Sequence, residues 1–265
     1  MPTDIGVIDL LVTLPREEAD HPAGYMFKDT PRVAADGLLT EMDRFGVERA
    51  LVPVDLEEPV GRSLLTSAPE RFLGCYMPDP NRGMAAVRDL RRAVDELGVV
   101  AAAAFPAGTM PQVGPDEAAY FPIFAACSEL GIPVFVNIGV PGPRWPADVQ
   151  HPRRLEPVLA TFPDLTVVTR HGGEPWVAET IAMMRCWPNL HYSTSAFAPR
   201  FYPREIIDFA NRDGRDRVLY AGYFPSGLSL ERIFTELAAL PLADDVWPSF
   251  LRENALRVLN LTGPG

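Results

Sequence analysis

The chain alternates short apolar runs with longer amphipathic ones about eight times, and this alternation limits the folds open to it. The short runs lie at 5–12, 49–54, 71–77, 99–105, 133–138, 165–170, 190–195 and 217–222. They are nearly continuous in apolar residues, which suits parallel strands covered on both faces. Between them, 33–45, 84–97, 120–130, 153–162, 176–186 and 204–211 carry helical periodicity, and 228–239 and 247–259 close the chain as helices. Eight β–α units within 265 residues predict a single-domain α/β protein spanning 1–265, a (β/α)₈ TIM barrel. A doubly wound dinucleotide-binding sheet calls for a Gly-rich fingerprint after the first strand, and 5–15 has none.

Composition removes several function classes. The net charge of −11 opposes non-specific nucleic-acid binding, although a local arginine cluster can still attract an anionic substrate. No apolar run is long enough to span a bilayer, and the first residues show no signal-peptide pattern, so a cytoplasmic protein is expected. Cys75, Cys127 and Cys186 are widely spaced in apolar contexts and read as reduced, buried thiols.

In such barrels the chemistry sits where strands end at their C-terminal side. His171 is the leading candidate there. It closes the run 165–170 and precedes Gly172 and Gly173, which permit close approach of backbone or ligand. With an ordinary pKa near ~6.5 it is a natural acid or base; the competing reading is a hydrogen-bonded structural histidine. Asn137 ends the fifth run and could polarise a carbonyl. Tyr223 follows the eighth and could donate a proton or pack with Phe224. Asp9 shares strand parity with Leu11 and Thr13, so it is expected to face the barrel interior, as a proton acceptor or as a hydrogen-bonded core carboxylate. Ser195 offers a hydroxyl. For substrate binding, the Pro-rich loop 140–146 presents Arg144 and Trp145, and Lys28 and Arg200 lie in other loops of the same face. His21 reads as a loop residue; His151 and His191 read as structural.

Several segments carry a resemblance. Glu41-Met42-Asp43-Arg44-Phe45-Gly46 continues to Ala50; Pro69-Glu70-Arg71-Phe72 follows. Phe162-Pro163-Asp164-Leu165, His171-Gly172-Gly173-Glu174-Pro175-Trp176 and Glu253-Asn254-Ala255-Leu256-Arg257 complete the set. In order and spacing the chain resembles the amidohydrolase-related TIM-barrel hydrolases and decarboxylases. The resemblance implies a metal site with an HxH pair at the first strand, a His at the fifth and an Asp at the eighth. Those positions hold Leu11, Thr13, Asn137 and Tyr223, and only His171 matches. A divergent branch without most metal ligands is implied, with no catalytic metal or other cofactor expected. Three functions stay open. The first is a metal-independent hydrolase or carbon–carbon lyase acting on a small organic acid or acyl derivative. The second is a non-catalytic relative that binds a ligand or partner subunit, and the third is a metal hydrolase with a rebuilt site. A small-molecule substrate is the expected partner, with neither nucleic acid nor membrane; homo-oligomerisation is left open.

Overall fold

A computed structural model describes residues 5–14 and 35–261. The strands are β1 (Val7–Asp9), β2 (Val47–Val54), β3 (Phe72–Tyr76), β4 (Ala101–Ala104), β5 (Val134–Asn137), β6 (Val167–Arg170), β7 (Leu190–Ser193) and β8 (Val218–Leu219). They form one parallel sheet in sequence order. The helices are α1 (Ala35–Arg44), α2 (Pro59–Ser67), α3 (Met84–Leu97), α4 (Phe121–Leu130), α5 (Glu156–Thr161), α6 (Val177–Cys186), α7 (Arg204–Ala210), α8 (Leu230–Leu237) and α9 (Asn254–Val258). This is the expected TIM-barrel architecture; β2 to β6 end within a residue of the apolar runs, whereas β1, β7 and β8 stop two or three residues short of them. No helix among the described residues is long and apolar enough to cross a membrane.

One helix was not legible. Between the second and third runs the periodicity is weak, yet α2 forms there, opened by Pro59 and burying Leu64. Gly61 permits it. A Cβ at Gly61 would stand 2.7 Å from the Pro53 carbonyl oxygen, so the missing side chain lets α2 lie directly on β2. The signal in the sequence is a small residue for close packing, not an apolar stripe.

Two apolar layers flank the sheet. The outer one joins strands to helices and includes Leu38, Leu90, Phe124 and Phe250. The inner one fills the bore with Ile8, Leu51, Leu73, Phe135, Val168 and Leu219, and Val258 of α9 plugs its base. Branched or aromatic residues dominate this layer except on β4, which contributes only Ala101 and Ala103. Small side chains of the layer therefore lie on that side of the bore.

The seam between β8 and β1 is closed by one main-chain bond and several side-chain clasps. Thr13 donates its N–H to the Phe224 carbonyl at 2.7 Å, and its hydroxyl meets Ser226 at 2.8 Å. The Asp9 carboxylate receives the N–H of Gly222 at 2.8 Å, the N–H of Leu11 at 3.0 Å and the hydroxyl of Tyr220 at 3.2 Å. Tyr220 packs edge-on against Phe234 and Phe250, in the outer layer. The expectation that Asp9 faces the bore is therefore corrected. Ile8 and Leu10 point inward, Asp9 points into the seam, and the turn in which Leu11 hydrogen-bonds back to Asp9 breaks the alternation the parity argument assumed.

Candidate active site

Register decides which side chains meet at the mouth. Asn137 of β5 and Arg170 of β6 are direct neighbours across the ladder, two residues beyond the inward pair Phe135 and Val168. Both therefore face the bore at its upper end. Arg170 is only 8% exposed. Its guanidinium lies over the Phe135 ring, 4.8 Å from the centroid, and Nη2 donates to the Cys75 sulfur at 3.6 Å. Nε has no hydrogen-bond partner, and no carboxylate among the described residues forms an ion pair with Arg170.

That environment compensates the charge poorly. A buried ion costs several kcal/mol after relaxation. A desolvated cation–π contact returns about 2 kcal/mol. Cys75 is a weak acceptor, and burial pushes its thiol up, against the opposing influence of Arg170, so it remains uncharged. The small side chains of Ala101 and Ala103 do not explain why a charge is kept there. Sequence reading passed over Arg170 because it stands inside an apolar run, beside the more conspicuous His171.

His171 leaves the strand in a different direction. Its φ is +66°, followed by +75° and +71° at Gly172 and Gly173, so three consecutive residues are left-handed. A non-glycine residue in that region costs roughly 1–2 kcal/mol. The glycines are required by space as well: a Cβ on Gly173 would stand 2.8 Å from Cδ1 of Ile138. The turn carries His171 toward β7, where its backbone N–H donates to Ser195 Oγ at 3.1 Å and its Nδ1 lies 3.2 Å from the same oxygen. The ring meets Tyr223 edge-on at 5.7 Å.

Hydrogen-bond accounting bears on the tautomer. Ser195 is fully buried and already accepts the His171 N–H. Its own proton needs an acceptor, and Nδ1 is the one in reach among the described residues. With the hydroxyl as donor the imidazole carries its proton on Nε2; with Nδ1 as donor the hydroxyl accepts, so the roles at this contact follow the tautomer. Burial, with the Arg170 charge second, lowers its pKa to about 3, while a hydrogen bond to the Ser195 backbone opposes the shift. Both leading causes disfavour the imidazolium, in place of the near-neutral pKa expected of a free histidine.

The remaining candidates divide. Asn137 and Tyr223 join His171 at the mouth; Tyr223 is half-buried and packs against both apolar layers. Trp145 packs against Phe105 at 5.9 Å, and Arg144 beside it is exposed. Arg200 is drawn away: it pairs with Glu236 of α8 at 3.7 Å and stacks on Phe201 at 4.7 Å. Arg200 stays largely exposed in that pairing, and Glu236 is held more closely by Arg232. Asp9 is spent on the seam. Lys28 and His21 lie outside the described residues. His151 stacks on Trp176 at 4.4 Å, and burial pushes the pKa of His191 down to about 4; both serve the scaffold.

A family model described as Amidohydrolase matches residues 24–261. No curated protein matches the chain. Among solved structures it is similar to the TIM-barrel protein Bb4693 from Bordetella bronchiseptica, with TM-score 0.79 and 22% identity over 97% of this chain and 99% of that one. It is also similar to 2,6-dihydroxybenzoate decarboxylase from Rhizobium, with TM-score 0.73 and 18% identity over 98% and 100%. A third is dihydroxybenzoic acid decarboxylase from Polaromonas sp. JS666 with bound manganese and 2-nitroresorcinol, with TM-score 0.71 and 16% identity over 97% of each chain.

The described residues do not fit such a metal. Manganese takes carboxylate, carbonyl and imidazole donors. Among the described residues no three His, Cys, Asp or Glu side chains cluster. The Thr13 hydroxyl is engaged by Ser226, and Nδ1 of His171 by Ser195. Leu11 offers no donor atom. No step through a metal is derived for this site.

Proposed function

The chain belongs to the amidohydrolase family, and within it we propose a metal-independent lyase of decarboxylase type, acting on a small organic acid. The reading is carried by one observation: His171 at the mouth, its Nδ1 3.2 Å from the buried Ser195 hydroxyl and its pKa lowered by burial, next to the bore-facing Asn137–Arg170 pair. When a carbon–carboxylate bond breaks, its electron pair must flow onto an adjacent conjugated oxygen. Donors aimed at that oxygen stabilise the charge as it develops, and in a water-poor site this effect is large. In the proposed reaction His171 Nε2–H and the Asn137 amide hold the oxygen. CO₂ departs, the oxygen takes up the charge, and Tyr223 returns a proton to the carbon. A neutral imidazole keeps its proton and so acts without leaving the bond network that orients it. The decarboxylase activity named for two of the similar structures agrees with this reading.

Hydrolysis of an acyl derivative would draw on the same donors at a tetrahedral oxyanion, and it is the second reading. A panel of hydroxybenzoic and β-keto acids, assayed for CO₂ release beside a panel of esters and lactones assayed for acid release, separates the two. CO₂ release that falls roughly 10²–10³-fold in His171→Asn supports the lyase. Acid release alone would replace it with the hydrolase, and no turnover of either panel would leave a binding protein.

A further inference from the structure

We propose that Arg170 forms a carboxylate subsite sunk in the bore beside the reacting position, and that it selects substrates keeping a carboxylate through the reaction. The proposal rests on the reading above only in placing the reaction at the mouth. Arg170 is 8% exposed, has an unpartnered Nε and meets no carboxylate among the described residues. Its one hydrogen-bond partner there is the thiol of Cys75. The Phe135 ring at 4.8 Å backs the guanidinium. Asn137 stands beside it on the next strand, and Ala103 of β4 presents only a methyl group in the same layer.

A guanidinium fork 4.8 Å over a ring, with its Nε unpartnered, matches the two oxygens of a carboxylate better than it matches a point anion. Chemistry then restricts which carboxylate it holds. Gripping the group that leaves as CO₂ would stabilise the ground state, where the full carboxylate charge still exists. The group on Arg170 is therefore one that stays. The substrate class is a small, flat acid with a second carboxylate.

The test measures binding and needs no turnover. Benzoate, benzamide and inorganic phosphate are titrated into the full chain and into Arg170→Met and Arg170→Lys, by calorimetry and thermal shift. Arginine-labelled protein reports the Arg170 Nε–H resonance, assigned by its loss in Arg170→Lys. Benzoate is expected to bind and to move that resonance, with benzamide and phosphate markedly weaker. Arg170→Met should weaken benzoate roughly 10–100-fold, with Arg170→Lys between the two. Benzoate binding that leaves the Nε–H signal unmoved would overturn the subsite, even if Arg170→Met does not fold. Benzamide binding as tightly as benzoate would also overturn it, and phosphate binding as tightly would make the occupant a free inorganic anion. A positive titration with no CO₂ release from any acid keeps the subsite and discards the lyase; the reverse pattern keeps the lyase and discards the subsite.

Discussion

Ser195 Oγ lies 3.2 Å from Nδ1 of His171 and also receives that residue's backbone N–H at 3.1 Å. One buried hydroxyl thus fixes both the left-handed backbone and the ring of the candidate catalytic group. Ser195→Ala should free the ring and leave Nδ1 without its donor. We expect ¹⁵N spectra of the wild type to show a neutral imidazole protonated at Nε2, and a mixture of tautomers in the variant. A wild-type spectrum dominated by the Nδ1–H form would reverse the assignment.

His171 also sets an acid limit. Its pKa is about 3 when folded against 6.5 unfolded, so the unfolded chain binds more protons between those values. Its contribution to stability is full above pH 6.5 and is lost as pH falls toward 3. His171→Asn removes the titration, and Asn tolerates the left-handed backbone. Urea unfolding between pH 4 and 7 should show a shallower acid limb in the variant. Parallel limbs would place the titration elsewhere.

Asp9 has the opposite sign. Burial raises its pKa to about 6 from 3.8, against its hydrogen bonds to Gly222, Leu11 and Tyr220. The folded chain binds the extra proton, so this contribution is full below pH 3.8 and is lost as pH rises through about 6. The span corresponds to about 3 kcal/mol. Asp9→Asn should remove that slope; its amide oxygen can keep the Gly222 and Leu11 N–H bonds, and its NH₂ then faces the Tyr220 hydroxyl. If the difference between wild type and variant stayed constant from pH 4 to 7.5, the shift would be wrong.

Metal content provides a direct check on the donor set. Protein purified without chelator should carry well under one manganese or zinc per chain, and chelator should leave the rate found in the acid panel unchanged. Stoichiometric metal that is lost on His171→Asn would restore the metal reading.

The glycine turn should be intolerant of side chains. Gly173→Ala puts a Cβ 2.8 Å from Ile138 at a φ of +71°. Strain of roughly 1–2 kcal/mol from backbone alone is expected, plus displacement of Ile138. A thermal midpoint equal to wild type would mean that the turn relaxes freely.

The sequence by itself determined the barrel, because strand burial on both faces and helical periodicity are written locally, residue by residue. It also marked His171 and Asn137 as strand ends and identified Leu11, Thr13 and Tyr223 as poor ligands. Only the tertiary structure decided what those positions do. Parity could not place Asp9, since the turn at Leu11 resets the alternation and its partner Tyr220 lies 211 residues away in sequence. Nor could it show that Arg200 is held by Glu236, or that Cys75, 95 residues distant, stands under Arg170. The pKa of His171 was likewise out of reach, because desolvation and the field of a neighbouring charge depend on how the barrel closes around the ring and not on the identity of the residue.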